Sequence, residues 1–258
     1  SMIKRNKNKW FAHQTSNPEA KLNLLCFVFA GGSPSFFAPW KTIFPSTVNL
    51  MPVLYPGRES RAAEILPDTM EELVETFSKE SGGVMEKPYA IWGHCSGALL
   101  GFKLAMAQTA ADNPPVAFIV SGCEAPQYAL RLIPEVRDDF SEVKDEDILK
   151  SLSAYGLMPQ DMIENPVFRN YFLPIYRRDL EMFSKYRHKS STLGCRALIM
   201  NGTDDHMLKQ EYIDKWNDCF DSAPTFLSFS GKHYFVNDHK EEVAKKILDF
   251  CFEGRYIE

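Results

Sequence analysis

The chain has 258 residues, 45% hydrophobic and 24% charged, with a formal net charge of −5. That length and apolar content suit one large globular unit with its own core. The acidic balance and the lack of a basic stripe argue against nucleic acid or an anionic membrane as the main partner, and no apolar run reaches the ~20 residues that span a bilayer. The lysines and arginines before Trp10 read as a solvated tail. The cysteines at positions 26, 95, 123, 195, 219 and 251 follow no C-x-x-C spacing, and no segment ahead of Leu22 resembles an export signal. A cytoplasmic protein with reduced thiols is expected.

In chain order, Leu22 to Phe29 is a continuous apolar run, as in a central strand of a parallel sheet. It ends in Ala30-Gly31-Gly32-Ser33, a loop without bulky side chains. A short helix is predicted from Trp40 to Phe44, and a second strand from Val48 to Tyr55, closed by Pro56-Gly57. Thr69 to Ser78 reads as a helix capped by Asp68. Tyr89 to Trp92 is a buried strand and Ala98 to Ala107 an apolar helix; Val116 to Val120 is the next strand. From Glu124 to about Ser191 the alternation stops. Charges and aromatics dominate there, with helical segments near 145–155 and 171–186 and no strand. Alternation resumes with a strand at 197–200, a helix at 210–220, a strand at 225–229 and a helix at 239–252. Strands alternating with helices predict a mainly parallel α/β sheet covered on both faces. Residues 1–258 form a single domain in this reading, interrupted by a helical insertion over about 124–191 that would act as a lid.

The strand–turn–helix at Tyr89–Ala107 carries Gly93-His94-Cys95-Ser96-Gly97, a G-x-nucleophile-x-G elbow. Glycines flank the apex because the strained turn brings its neighbours too close for a Cβ. A bare glycine-rich turn around a buried cysteine would read the same way, so the residues that follow decide. The strand at 197–200 leads into Asn201-Gly-Thr-Asp-Asp205, and the strand ending near Phe229 leads into Ser230-Gly-Lys-His233. Nucleophile, acid, histidine is the chain order of an α/β-hydrolase triad, and strand ends are where a parallel sheet gathers its site. Cys95 would attack as thiolate, His233 would carry the proton, and a carboxylate would orient the imidazole. Asp205 is preferred over Asp204, although spacing alone does not separate them. Two main-chain N–H groups would hold the developing oxyanion: that of Ser96 and one in the Ala30-Gly31 loop. His94 is expected to pack beside the elbow, and His13, His188, His206 and His239 to lie at the surface. Cys26, Cys123 and Cys195 are expected in the core.

These residues resemble the type II thioesterases of polyketide and nonribosomal peptide assembly lines. Phe27-Val-Phe-Ala-Gly-Gly32 is similar to the family's F-P-x-A-G-G, with Val28 for proline, and Trp40 matches its tryptophan. Tyr55-Pro-Gly-Arg-Glu-Ser-Arg61 is similar to L-P-G-R-E-x-R, and Gly93-His-Cys-Ser-Gly-Ala98 to G-H-S-M-G-A. Pro174 with Arg177-Arg-Asp-Leu180 resembles P-x-x-R-A-D. Gly202-Thr-Asp-Asp205 and Gly231-Lys-His-Tyr-Phe235 are similar to G-x-x-D and G-G-H-F-F. The resemblance implies an α/β-hydrolase fold, Asp205 as the acid, and oxyanion amides at Ala30 and Ser96. It also implies hydrolysis of acyl thioesters from the phosphopantetheine arm of an acyl- or peptidyl-carrier protein. No metal or cofactor is expected, because the nucleophile supplies the covalent chemistry. The departure is Cys95 where the family has serine. Attack by a thiol exchanges one thioester for another at nearly equal free energy, and the product stays reactive toward amines and alcohols as well as water. Acyl transfer to such an acceptor is therefore one alternative, and a non-catalytic acyl-binding protein on a hydrolase scaffold is another.

Overall fold

A computed structural model describes residues 8–131 and 140–253. Residues 1–7, with Lys4, Arg5 and Lys7 of the basic start, and residues 132–139 of the expected insertion lie outside that range; Lys9, read from the sequence as part of a solvated tail, is instead paired with Glu64 at 3.0 Å and Glu80 at 3.3 Å. In chain order the elements are β1 (Leu22–Phe27), a 3-10 segment at Pro34–Thr42, β2 (Val48–Pro52), α1 (Met70–Glu80), β3 (Tyr89–His94), α2 (Gly97–Ala110) and β4 (Ala117–Ser121). After these come α3 (Asp145–Ala154), α4 (Gln160–Glu164), α5 (Pro166–Ser184), β5 (Arg196–Gly202), α6 (Gln210–Ile213), β6 (Thr225–Phe229), α7 (Phe235–Asp238) and α8 (Lys240–Phe252).

The six strands form one parallel sheet in the order β2-β1-β3-β4-β5-β6. The chain moves outward from β1 to β2, then crosses back to the other side of β1 at β3. The switch point therefore lies between β1 and β3, where an open α/β sheet leaves a crevice at its carboxyl edge. Registers Phe27↔Gly93, His94↔Ser121 and Gly202↔Phe229 bring these strand ends level.

Successive strand residues face opposite sides of a sheet. On one side of β3, Ile91 lies under α2, whose Gly101 comes so close that an added Cβ would stand 2.8 Å from the Ile91 side chain. On the other side, Trp92 meets Phe37 and Trp40 edge-on at 4.9 and 5.0 Å. The Trp40 indole N–H in turn donates to the Lys240 carbonyl at the start of α8, at 3.0 Å. The sheet is thus covered on both faces, and its strands read as unbroken apolar runs for that reason.

Several elements differ from the sequence-based expectation. The helix predicted at Trp40–Phe44 is a 3-10 segment starting at Pro34, where proline occupies the first position and Ser33 caps it. Thr69, not Asp68, caps α1, its hydroxyl accepting from Glu72 N–H at 3.2 Å. Residues 210–220 form one α turn, α6, followed by a 3-10 turn. Between β4 and β5 the described residues hold α3, α4 and α5 and no strand, as the sequence pattern predicts. Among the described residues no helix is long and apolar enough to cross a membrane.

Two glycines with different surroundings test how tightly this frame is set. A Cβ on Gly97 would collide with the Phe27 carbonyl of β1, whereas one on Gly156, at φ +63°, would meet nothing within 4 Å. Gly97→Ala is expected to cost about 3 kcal/mol by forcing backbone apart, and Gly156→Ala only the ~1–2 kcal/mol of a left-handed alanine. Urea unfolding of the two variants beside the wild type checks the order; equal costs would mean that α2 can shift freely on β1.

Candidate active site

Cys95 sits at the apex between β3 and α2 with φ +54°, a left-handed conformation that is rare outside glycine. Neighbouring glycines make it possible. A Cβ on Gly93 would strike the Ala98 backbone, and one on Gly97 the Phe27 carbonyl. Cys95 N–H donates to the Ser121 carbonyl of β4 at 2.8 Å, and its own carbonyl accepts from Ala98 N–H at 3.0 Å. The side chain is partly exposed and borders a cavity, while Cys26, Cys123, Cys219 and Cys251 are buried. Burial pushes the Cys195 thiol up to about 11 and those of Cys219 and Cys251 up to about 12; Cys26 and Cys123 lie well above the ordinary thiol value for the same reason.

His233 follows β6, and Asp205 follows β5. Their side chains are 5% and 3% exposed and meet at 2.8 Å, His233 Nδ1 to Asp205 Oδ2. Asp204, in contrast, is exposed, with its N–H donating to the Gly231 carbonyl at 2.9 Å. Of the two aspartates, Asp205 is the one whose carboxylate meets the His233 ring. The Asp205 contact places the Nδ1 proton between the two groups and leaves Nε2 to the cavity side. That nitrogen is buried without a well-aligned hydrogen bond, yet the Cys95 sulfur is close enough to act on the ring. Burial by itself would lower the His233 imidazole. The neighbouring Cys95 sulfur, followed by the Asp205 hydrogen bond, outweighs burial and holds it up at about 10.

His94 behaves as the sequence suggested. It is fully buried, with Nδ1 at 2.8 Å from Ser121 Oγ, and stacks on Phe36 and Tyr234. Burial, then the neighbouring His233, keeps it neutral by holding it well below its ordinary value. Gly122 completes this corner: at φ +63°, an added Cβ would stand 3.1 Å from His94 and 3.3 Å from His233.

The two expected oxyanion amides are near one another but not equally free. Ser96 is the N-cap of α2, so its N–H has no intrahelical partner. Its hydroxyl makes no capping bond; it accepts instead from Ala30 N–H at 2.8 Å. The next amide, Gly31 N–H, donates to Asp179 Oδ2 on α5 at 2.7 Å. Neither contact was foreseen from the sequence. Serine is so common at N-caps that nothing marks this one as turned away, and no sequence signal joins positions 31 and 179.

The cavity beside Cys95 measures about 150 Å³ and is walled largely by apolar side chains of the helical insertion, including Ile148, Leu152, Phe172, Leu180 and Phe183. Its one buried carboxylate, Glu124, is paired with Arg131 and also accepts Lys209 N–H at 2.8 Å. The wall therefore presents hydrocarbon to a ligand, and Cys95 and His233 are part of the same lining.

A parallel sheet with a strained elbow at its switch point, and an aspartate–histidine pair at neighbouring strand ends, defines an α/β-hydrolase. The fold is shared with the type II thioesterase BorB of the borrelidin cluster, at a TM-score of 0.81 and 24% identity, covering 94% of this chain and 98% of that one. Residues 22–251 match the thioesterase domain family, and the chain belongs to it. It is similar to the gramicidin S biosynthesis protein GrsT of Aneurinibacillus migulanus, 29% identical over 92% of each chain. It is also similar to the human medium-chain S-acyl fatty acid synthase thioesterase, 27% identical over 92% of this chain and 89% of the relative. The protein is an enzyme of the thioesterase class.

The raised imidazole has a consequence for stability. A group whose folded pKa lies above its unfolded value of about 6.5 stabilises fully below that value and loses the effect as the pH rises through the folded pKa. For His233 the window runs from about 6.5 to about 10. The difference in thermal midpoint between wild type and His233→Gln is therefore expected to be flat from pH 5.5 to 6.5 and to shrink from there toward pH 10. A difference that grows with pH would show that the imidazole is neutral in the folded protein.

Proposed function

We propose that this enzyme hydrolyses acyl thioesters from the phosphopantetheine arm of acyl- or peptidyl-carrier proteins in a polyketide or nonribosomal peptide pathway, through Cys95, His233 and Asp205. The observation that carries the reading is the left-handed Cys95 at the open edge of the sheet, beside a buried histidine already paired to a carboxylate. The likeness to a gramicidin S biosynthesis protein and to a fatty acid synthase thioesterase supports a thioester substrate of this kind. In this reading the chain is one α/β-hydrolase domain working in the cytoplasm, with the insertion at about 124–191 as its lid and the apolar cavity as its acyl pocket.

In the acylation step the Cys95 thiolate attacks the thioester carbonyl, and a new S–C bond forms. The carbonyl oxygen becomes an oxyanion held by the N–H groups of Ala30 and Ser96. Collapse breaks the bond to the pantetheine sulfur, which leaves with the proton that His233 took from Cys95. Water then enters, gives a proton to His233 and attacks the acyl-Cys95 thioester. The carboxylic acid departs, and Cys95 and His233 return to their starting state. Asp205 keeps the imidazole oriented and stabilises its charged form throughout. Because the intermediate is itself a thioester, deacylation starts from a reactive species, and the apolar cavity walls limit which acceptors reach it.

Intact-mass spectrometry of an octanoyl-carrier protein mixed with the enzyme tests the whole sequence. The expected result is loss of the acyl mass from the carrier, a transient +acyl adduct mapping to Cys95, and free octanoic acid. Cys95→Ala is expected to form no adduct. Carrier that loses its acyl group no faster than without enzyme would overturn the reading, and an acyl group recovered on an added amine in place of acid would assign transfer instead.

The Ser96 hydroxyl gives a second test. A substrate oxygen has to displace it from Ala30 N–H, at the cost of one hydrogen bond worth about 0.5–1.5 kcal/mol net. Ser96→Ala is therefore expected to accelerate acylation of Cys95 about two- to tenfold in single-turnover measurements. Slower acylation would show that the hydroxyl itself assists the oxyanion.

A further inference from the structure

We infer that Asp179, on α5 of the helical insertion, is a positioning residue that sets the direction of the Ala30 amide. The inference rests on Cys95 being the nucleophile and adds a residue for which that reading has no role. Asp179 is 1% exposed and Arg58, its partner, 4%. Arg58 grips the carboxylate with both terminal nitrogens, Nη1 to Oδ2 at 2.7 Å and Nη2 to Oδ1 at 2.5 Å. Such a bidentate fork fixes the plane of the carboxylate. The same Oδ2 then accepts Gly31 N–H at 2.7 Å.

The Ala30 amide is held on every side by this arrangement. Upstream, the Val28 carbonyl accepts from the Tyr55 hydroxyl at 2.8 Å. The Phe29 carbonyl, in the same peptide unit as Ala30 N–H, accepts from Gly32 N–H at 2.9 Å. Downstream, Gly31 is pinned by Asp179. A planar trans peptide directs its N–H opposite to its C=O, so with the Phe29 carbonyl turned to Gly32, Ala30 N–H must point to the Ser96 side, where its hydrogen bond lies. Gly31 has φ +75°, and an added Cβ would stand 2.7 Å from the rings of Phe172 and Tyr176. Positions 172, 176 and 179 share one face of α5, and that face rests directly on the Gly31 turn.

A buried ion pair is a poor way to gain stability, because desolvating both ions offsets most of their attraction. What this pair does supply is geometry: a carboxylate oxygen aimed at one peptide of the oxyanion loop. Since the oxygen arrives from the insertion, this last restraint on the loop forms only when α5 is seated. Acylation of Cys95 is then coupled to seating of the insertion, whereas the thiol's own reactivity is not.

The test compares two reactions of Cys95 in the full-length enzyme. Acylation by octanoyl-N-acetylcysteamine develops an oxyanion; alkylation by iodoacetamide displaces iodide from a methylene carbon and develops none. Two paired replacements separate the hydrogen bond from the charge. Arg58→Met with Asp179→Leu removes the acceptor for Gly31, and a buried pair replaced by apolar groups of similar volume commonly folds as well as before. Arg58→Gln with Asp179→Asn removes both charges but leaves an amide oxygen for Gly31. The Met/Leu pair is expected to acylate about ten- to a hundredfold more slowly, somewhat below the loss seen when an oxyanion donor is deleted outright, with iodoacetamide labelling of Cys95 within about twofold of wild type. The Gln/Asn pair is expected to acylate within about threefold of wild type, the scale of one neutral hydrogen bond exchanged for a charged one. Unchanged acylation in the Met/Leu pair would overturn the role. Loss of both reactions together, or equal slowing in the two pairs, would overturn it too. A wild-type enzyme that takes no acyl group on Cys95 would remove the nucleophile reading itself, whereas normal wild-type acylation matched by the Met/Leu pair removes Asp179 alone.

Discussion

The start of α2 rests on the carboxyl end of β1 with no side chain between them, Gly97 against the Phe27 carbonyl. That backbone-to-backbone approach is the constraint from which the site follows. It leaves room only for glycine at 97 and at 93, forces Cys95 into the left-handed region, and lifts its side chain out of the sheet toward the cavity. It also draws the loop after β1 against the elbow, so that Ala30 and Ser96 come within one hydrogen bond of each other. Because β1 and β3 flank the point where strand order reverses, the crevice above them is open to a ligand, and the remaining groups need only reach it from neighbouring strand ends. β5 and β6 deliver Asp205 and His233 at that level.

Charge inside this frame is managed by pairing. Asp205 meets His233, Glu124 meets Arg131, and Asp179 meets Arg58. Each carboxylate is nearly or fully buried and would be costly alone. The three pairs differ in what else they hold. Glu124 takes the Lys209 amide at the edge of the cavity wall, and Asp179 takes the Gly31 amide in the loop after β1. The Asp179 pair leaves Arg58 Nε unpartnered and the Asp205 pair leaves His233 Nε2; of these two, it is the Asp205 pair that borders the Cys95 cavity. An unsatisfied buried nitrogen is a liability in a core, so one that borders a cavity calls for a reason beyond packing.

The helical insertion supplies what the sheet cannot. Strand ends fix reactive groups but offer no apolar wall on their open side. Residues of α3 and α5 close that side with hydrocarbon, and the face of α5 bearing Phe172, Tyr176 and Asp179 packs on the Gly31 turn. One helix thus lines the pocket and braces the loop after β1, so the apolar wall and the Gly31 turn are mechanically continuous.

Most of the frame was legible in the chain itself. Buried parallel strands show as unbroken apolar runs because both faces are covered, and Gly93, Gly97, Cys95 and His233 were marked because a strained turn and a proton carrier each admit few residue types. The insertion was visible as the place where alternation stops. What tertiary structure decided was the pairing of groups far apart in sequence. Asp205 was separated from Asp204 by which carboxylate reached His233, a matter of loop path and not of residue type. The Ser96 hydroxyl turned from its helix cap to Ala30, and Asp179 reached across 148 positions to Gly31. A hydrogen bond of that kind depends on distance and angle after the chain has packed, and a carboxylate or hydroxyl in the sequence looks the same whichever partner it finds.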